Sequence, residues 1–329
     1  MQRKRNWKRV LVITGLITLS LLALLSVVLW KAASTFVMPE RRPLEPYHEE
    51  WLQADRGFSI DEVLLVDDMV PTLVCRPVAT QKPGKRGRIL RSQLAERGVT
   101  LFSYGEEVGI VAILHGRRGR KEDMLPLAAR YTAAGFICII PDLPGHGASP
   151  SDMLGYGSGE LDRRIPMDIV REASSALSLP ALPRHLWGVS MGGSFAIHAA
   201  DHDPDYFRSI VIVSSFDRMD HIVTDQIQIY LGPLARPLTD LGCWMIVQQG
   251  GPKVSDIRPV MKAENITLPV FMAHGDEDRI ISIDHGKALY NAFAGEKTFM
   301  EIRGGNHRNI FVTDDPLFAN TAEFLLQHN

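Results

Sequence analysis

Ser190 sits in Gly188-Val189-Ser190-Met191-Gly192, where a predicted strand, Arg184–Val189, gives way to a predicted helix, Met191–Ala200. A serine hydroxyl is a weak nucleophile until a neighbouring base takes its proton. A strand that delivers it to a sharp turn exposes it, and small flanking residues make that turn sterically feasible. A helix starting straight after aims free N–H groups and the positive end of its dipole at the charge that develops on an attacked carbonyl. Gly193 adds a further small residue where helix and strand must come close. A plain Gly-Ser loop would need neither the strand nor the helix.

Other reactive groups stand at the ends of predicted strands. Val108–Leu114 ends in His115-Gly116-Arg117-Arg118-Gly119, and Phe136–Ile140 ends in a segment running from Pro141-Asp142 through His146 to Ser149. Leu268–Ala273 leads into His274-Gly275-Asp276-Glu277-Asp278, and Lys297–Ile302 leads to Gly304-Gly305-Asn306-His307. Two further patterns carry no site. His198 and His202 are four apart on one helix, without H-E-x-x-H, and supply only two ligands, so no metal is expected. Gly155-x-Gly157-x-Gly159 does not directly follow a strand, so no dinucleotide is expected.

The elements that must position these groups alternate. Strands are also predicted over Phe58–Val66, Val70–Val78 and Phe207–Val213, with a turn at Asp67-Asp68. Helices are predicted over Lys121–Ala134 (stopped by Gly135), Asp162–Leu179, Ile283–Ala294 and Pro316–Gln327. Strands alternating with helices imply an α/β fold with a mostly parallel sheet covered on both faces. Two stretches interrupt the alternation. Residues 79–107 form a long connection with a helical patch near Ile89–Glu96. Residues 216–265 form an apolar excursion that reads as a lid or cap, or as a segment packed on the sheet.

Taken in order, these segments resemble those of the α/β-hydrolase superfamily over roughly residues 58–329. Gly188–Gly192 resembles its nucleophile elbow. His115-Gly116-Arg117-Arg118-Gly119 resembles its H-G-x-x-G oxyanion loop, which implies that the N–H groups of Arg117 and Met191 bind the oxyanion, with His115 shaping the loop. The segment at Asp142 resembles its D-x-x-G-x-G-x-S, where His146 is structural. His274–Asp278 is similar to its H-G-x-x-D, making Asp278 the acid that orients the base, with Asp276 and Glu277 as rivals. His307, in a small-residue loop after the last strand, takes the place of the general base. The order Ser190, Asp278, His307 is the family's. The resemblance implies a Ser-His-Asp triad and an acyl-enzyme, with no metal or organic cofactor. Two features depart from the common pattern: the length of 79–107, and the basic Arg117-Arg118 in the oxyanion loop.

The N-terminus carries a separate signal. Arg3, Lys4, Arg5, Lys8 and Arg9 precede Val10–Trp30, which has no charged residue and is bracketed by Trp7 and Trp30. As a helix it would span roughly 31 Å, close to the hydrocarbon thickness of a bilayer. The expected organisation is a basic cytoplasmic stretch over 1–9, a transmembrane signal anchor over 10–30, a Pro-bearing linker over 31–57 and the hydrolase domain over 58–329. A cleaved signal peptide is the competing reading, with small residues at Ala32-Ala33-Ser34. Either places the domain on the exported, extracytoplasmic side. The total charge of −2 argues against a nucleic-acid partner. Cys75, Cys138 and Cys243 match no metal or redox spacing; Cys138 reads as a core thiol, and a bridge between the other two is open. Three functions follow: hydrolysis of an ester or thioester of apolar, lipid-like character; a peptidase or amidase with the same triad; and a membrane-tethered binding protein on the same fold.

Overall fold

A computed structural model of the chain describes residues 2–53, 56–66, 69–150, 160–311 and 315–329. The expected turn at Asp67-Asp68 and the glycines 155, 157 and 159 lie outside the described residues. Among the described residues eight strands make one sheet: β1 (Phe58–Leu65), β2 (Val70–Pro77), β3 (Gly109–Leu114), β4 (Phe136–Pro141), β5 (Arg184–Val189), β6 (Ser209–Val213), β7 (Val270–Gly275) and β8 (Lys297–Ile302). Their spatial order is β1-β2-β4-β3-β5-β6-β7-β8. The β1–β2 and β2–β4 pairs are antiparallel; all others are parallel.

Successive strand residues point to opposite faces, and the two cores follow that period. Ile110, Ala112, Leu114, Ile210, Ile212 and Met272 enter one core; Val111, Ile113, Val211, Val213 and Phe271 enter the other. The first core is covered by α5 (Glu160–Ala176), α6 (Met191–His202), α9 (Pro259–Ala263) and α10 (Ile283–Ala292). The second is covered by α3 (Lys85–Glu96), α4 (Leu125–Tyr131) and α11 (Asp315–Gln327). Central strands buried on both sides explain the unbroken apolar runs seen in the sequence.

Several segments differ from expectation. The single helix expected over Lys121–Ala134 is three pieces: a 3-10 turn at Lys121–Met124, then α4, then a 3-10 turn at Thr132–Ala134. Pro126 has no N–H to return to the carbonyl of Glu122, so it sits in the first turn of α4, where that N–H would have no helical partner. Gly135, at φ 99°, closes the helix as read. The connection 79–107 is not an open loop: it carries α3, whose Leu90 and Leu94 are buried against α4 and α11. All three cysteines are free: Cys75 faces Cys138 across the β2–β4 register within one core, and Cys243 packs against the other.

The largest correction concerns residues 31–57. The N-terminal helix α1 (Gln2–Val37) runs past the expected linker boundary, and α2 (Pro46–Gln53) follows it. Both dock on the domain. Ala33 and Val37 are buried. Trp51 lies under the guanidinium groups of Arg56 and Arg86 at 3.8 and 4.9 Å, and buried His48 meets Asp123 at 2.9 Å. Between the two helices the chain runs as a strap tied to the domain by Arg42 on Asp123 at 2.8 Å and Glu40 on Arg118 at 2.6 Å. The upstream part of α1 is exposed, and the helix is long and apolar enough to cross a membrane.

Candidate active site

The strand order reverses at β3: β4 lies on one side and β5 on the other. Ligand crevices in open α/β sheets form at the carboxyl ends of such strands. Leu114 is in register with Gly188, so the loop after β3 and the elbow after β5 leave the sheet side by side. At the other end of the crevice Gly275 is in register with Ile302, which brings the Asp278 loop beside the His307 loop.

Ser190 takes φ 55° and ψ −119°, a conformation rarely adopted by a residue with a Cβ. The turn leaves no room beside it. A Cβ on Gly188 would strike the carbonyl of Gly192, and one on Gly192 would strike that of Leu114. The backbone is pinned by Ser190 N–H donating to Val213 O at 2.9 Å, while Ser190 O accepts from Ser215 Oγ at 2.9 Å and Gly193 N at 3.0 Å. Only 8% of Ser190 is exposed.

His307 Nε2 lies 3.2 Å from Ser190 Oγ, and His307 Nδ1 lies 2.7 Å from Asp278 Oδ2. The carboxylate can only accept, so Nδ1 carries the proton and Nε2 is free to take one from the serine. The other oxygen of Asp278 accepts from the amides of Ile280 and Ile281, both at 2.9 Å. Burial pushes the Asp278 carboxyl upward, but the hydrogen bond and charge of His307 and these two amides outweigh it and hold it below its ordinary value.

The rival carboxylates separate clearly. Asp278 is buried, whereas Asp276 and Glu277 are exposed. Asp276 accepts from Gly304 N–H at 2.7 Å and so braces the loop that presents His307. Glu277 contributes its amide, which donates to Gly305 O at 2.9 Å. Asn306 Oδ1 accepts from the amides of Arg308 and Asn309 at 2.9 and 3.0 Å, a local turn that fixes His307 from the other side.

Arg117 and Met191 line the same cavity as Ser190 and His307. Buried His115 donates from Nδ1 to Gly116 O at 2.8 Å and accepts from Leu143 N–H at 3.0 Å. Burial lowers its pKa, so it is a neutral brace tying the β3 loop to the turn after β4. His146 donates to Pro144 O at 2.9 Å, and its ring lies tilted against that of His115 with centroids 5.4 Å apart. Burial and the neighbouring His115 press its pKa down to about 3, which leaves it without proton chemistry near neutrality.

Sequence reasoning did not find the ion network under this loop. Lys121 Nζ meets Asp142 at 3.1 Å and Glu122 at 2.9 Å, and Arg120 meets Glu122 at 2.6 Å. Asp142 is fully buried and also accepts from the amides of Lys121 and Ala148, both at 2.8 Å. The D-x-x-G-x-G-x-S resemblance marked Asp142, but nothing marked Lys121 as its partner.

The excursion 216–265 folds into α7 (Met219–Leu231), α8 (Ala235–Gln248) and α9. Helices α7 and α8 roof the cavity with Ile222, Val223, Ile227 and Ile246. The cavity measures about 980 Å³ and is mostly apolar. The roof is tied down by Gln226, which donates to the carbonyls of Arg279 and Ile280 at 2.9 and 3.0 Å. His285 adds a second tie, with Nδ1 2.7 Å from Asp217 and Nε2 3.0 Å from Asp225. Among the described residues, Asp217, His221 and His285 have ligand atoms within 4.8 Å of one another, a spacing that a metal ion could bridge. His198 and His202 are not brought together with other ligands there.

A family model described as serine aminopeptidase, S33, matches residues 105–245. A thermostable monoacylglycerol lipase of Bacillus sp. (strain H-257) is 23% identical over 235 residues, covering 66% of this chain and 90% of its own. Among solved structures, the Pyrococcus furiosus esterase Pf2001 superposes with a TM-score of 0.59 at 15% identity, covering 89% of this chain and 99% of its own. A structure described as a membrane phospholipase A, a novel bacterial virulence factor, superposes with a TM-score of 0.52 at 16% identity, covering 99% and 98%. Sheet, elbow and these likenesses agree: the chain has the α/β-hydrolase fold.

Proposed function

We propose that this protein is a membrane-anchored serine hydrolase that cleaves a carboxylic ester or thioester of apolar character. The observation that carries the reading is the unbroken Asp278–His307–Ser190 chain opening onto a large apolar cavity. Ser190 Oγ attacks the carbonyl while His307 Nε2 takes its proton. Asp278 holds the imidazole tautomer and stabilises the imidazolium that forms. The amides of Arg117 and Met191 receive the charge on the carbonyl oxygen, a contribution of about 3–4 kcal/mol per donor in comparable sites. His307 then protonates the leaving group, and water admitted past the roof releases the acyl chain.

The monoacylglycerol lipase and esterase likenesses support an ester substrate. A peptidase that removes N-terminal residues must seat an ammonium group, and the cavity offers little for one. The carboxylate lining it is Asp123, already engaged by Arg42 at 2.8 Å and His48 at 2.9 Å. The basic cluster at the start of α1, ahead of its apolar stretch, supports an N-terminus in the cytoplasm and a domain on the exported side.

A fluorophosphonate probe tests the reading on the full-length protein in detergent or lipid. Labelling is expected for the wild type and lost in Ser190→Ala and His307→Ala. A folded wild type that resists labelling in both media would sink it in favour of a tethered binding protein.

A further inference from the structure

The last turns of α1 serve two surfaces at once. Upstream, Leu11, Ile17, Leu24 and Val27 are more than half exposed along the segment suited to a bilayer. Downstream, Leu29, Ala32, Ala33 and Phe36 form one wall of the cavity that holds Ser190. Their spacing sets these four on one helical face, and no polar side chain interrupts it. The wall is fixed. Ser34 Oγ donates to Gln249 of the roof at 2.5 Å, Arg117 donates to Thr35 O and lies 5.5 Å over Phe36, and Arg118 meets Glu40 at 2.6 Å. Thus the oxyanion loop, the roof and the membrane helix are tied at one place.

Alongside α1, helix α8 presents Leu241, Trp244 and Val247 outward at 37, 55 and 44% exposure. Their i, i+3, i+6 spacing makes an apolar stripe, and a tryptophan is suited to the headgroup boundary. A long acyl chain crossing an aqueous gap would expose its methylenes to water. A chain sliding along α1 would not.

We infer that the cavity is fed from the bilayer: the substrate is a long-chain acyl ester lipid resident in the membrane, and α1 is both anchor and acyl-binding wall. This rests on the anchored serine-hydrolase reading above. Two experiments on the full-length protein in phosphatidylcholine vesicles test it. Ala32 lines the cavity yet is exposed, so Ala32→Trp adds bulk there without overpacking the core. The variant should lose at least about tenfold more of its activity on monooleoylglycerol placed in the bilayer than of its activity on p-nitrophenyl acetate. Equal loss on both substrates, or loss on neither, overturns the inference. The second experiment uses the wild type alone. A long-chain alkyl fluorophosphonate with a diazirine at its chain end should, after reaction at Ser190 and illumination, crosslink to residues 29–36. Crosslinks confined to α10 or to the roof overturn the lateral route while leaving the nucleophile standing. Failure of the wild type to react, or equal reaction of Ser190→Ala, brings down the nucleophile and this inference together.

Discussion

Asp278 reaches His307 with one carboxylate oxygen, at 2.7 Å, and its own loop with the other, through the amides of Ile280 and Ile281. The carboxylate therefore cannot rotate away without leaving buried amides unpaired. That locking is what distinguishes it from Asp276 and Glu277 just before it.

Asp278→Asn should keep the fold and lose the function. An amide in that place favours the wrong imidazole tautomer, and kcat on a short chromogenic ester should fall by roughly 10⁴-fold. Asp276→Ala removes only the brace on Gly304 and should cost about 1 kcal/mol of stability with a far smaller loss of kcat. Comparable losses in kcat for the two variants would show that the acid has been assigned to the wrong residue.

The strained turn makes a second expectation. Ser190→Gly removes the nucleophile and the Cβ that resists φ 55°. The variant should be inactive yet more stable, by about 1 kcal/mol, a rise of about 2 °C in Tm by calorimetry. An unchanged or lower Tm would mean that the elbow stores no strain.

Removing the ammonium of Lys121 leaves Asp142 and Glu122 buried without it. Burial disfavours the charge on Lys121, but Asp142 and Glu122 outweigh this and raise its pKa. Lys121→Met should destabilise the protein by about 3–5 kcal/mol in urea denaturation, and the residual folded fraction should react sluggishly with fluorophosphonate because the β3 loop is loosened. Wild-type stability in this variant would exclude the network as the brace of that loop.

The roof should respond to pH through His285. Burial lowers its pKa, but Asp217 and Asp225 outweigh burial and raise it above the ordinary histidine value, while His285 holds Asp217 below the ordinary carboxylate value. The raised histidine contributes stability that is complete below its unfolded pKa and is lost as pH rises through the folded one. The lowered carboxylate contributes stability that is complete above its unfolded pKa and is lost as pH falls through its folded one. The latch is thus strongest in mildly acidic solution. His285→Asn should destabilise the protein by about 1–3 kcal/mol near pH 6 and by clearly less near pH 9, followed by thermal denaturation. A penalty that does not change with pH would show that His285 acts without its charge.

The strand, the glycine-flanked Ser190 and the helix after it were legible in the sequence, because each depends on neighbours a few residues away and on period-2 and period-3.6 patterns. The same local logic located the β8 loop with His307 and the Gly135 stop. It could not choose among Asp276, Glu277 and Asp278, since alternation of side-chain direction on a tight turn is settled only by what the turn packs against. Nor could it pair Lys121 with Asp142, whose contact closes across two strands, or see that residues 31–53 dock as helix and strap where prolines and charges suggested a loose tether. Composition reports whether a segment can stay in water; whether it has a surface to bury against is a property of the assembled domain. For α1 the difference matters most. Its sequence described a helix suited to a membrane, and only the tertiary structure made the end of that helix a wall of the catalytic cavity.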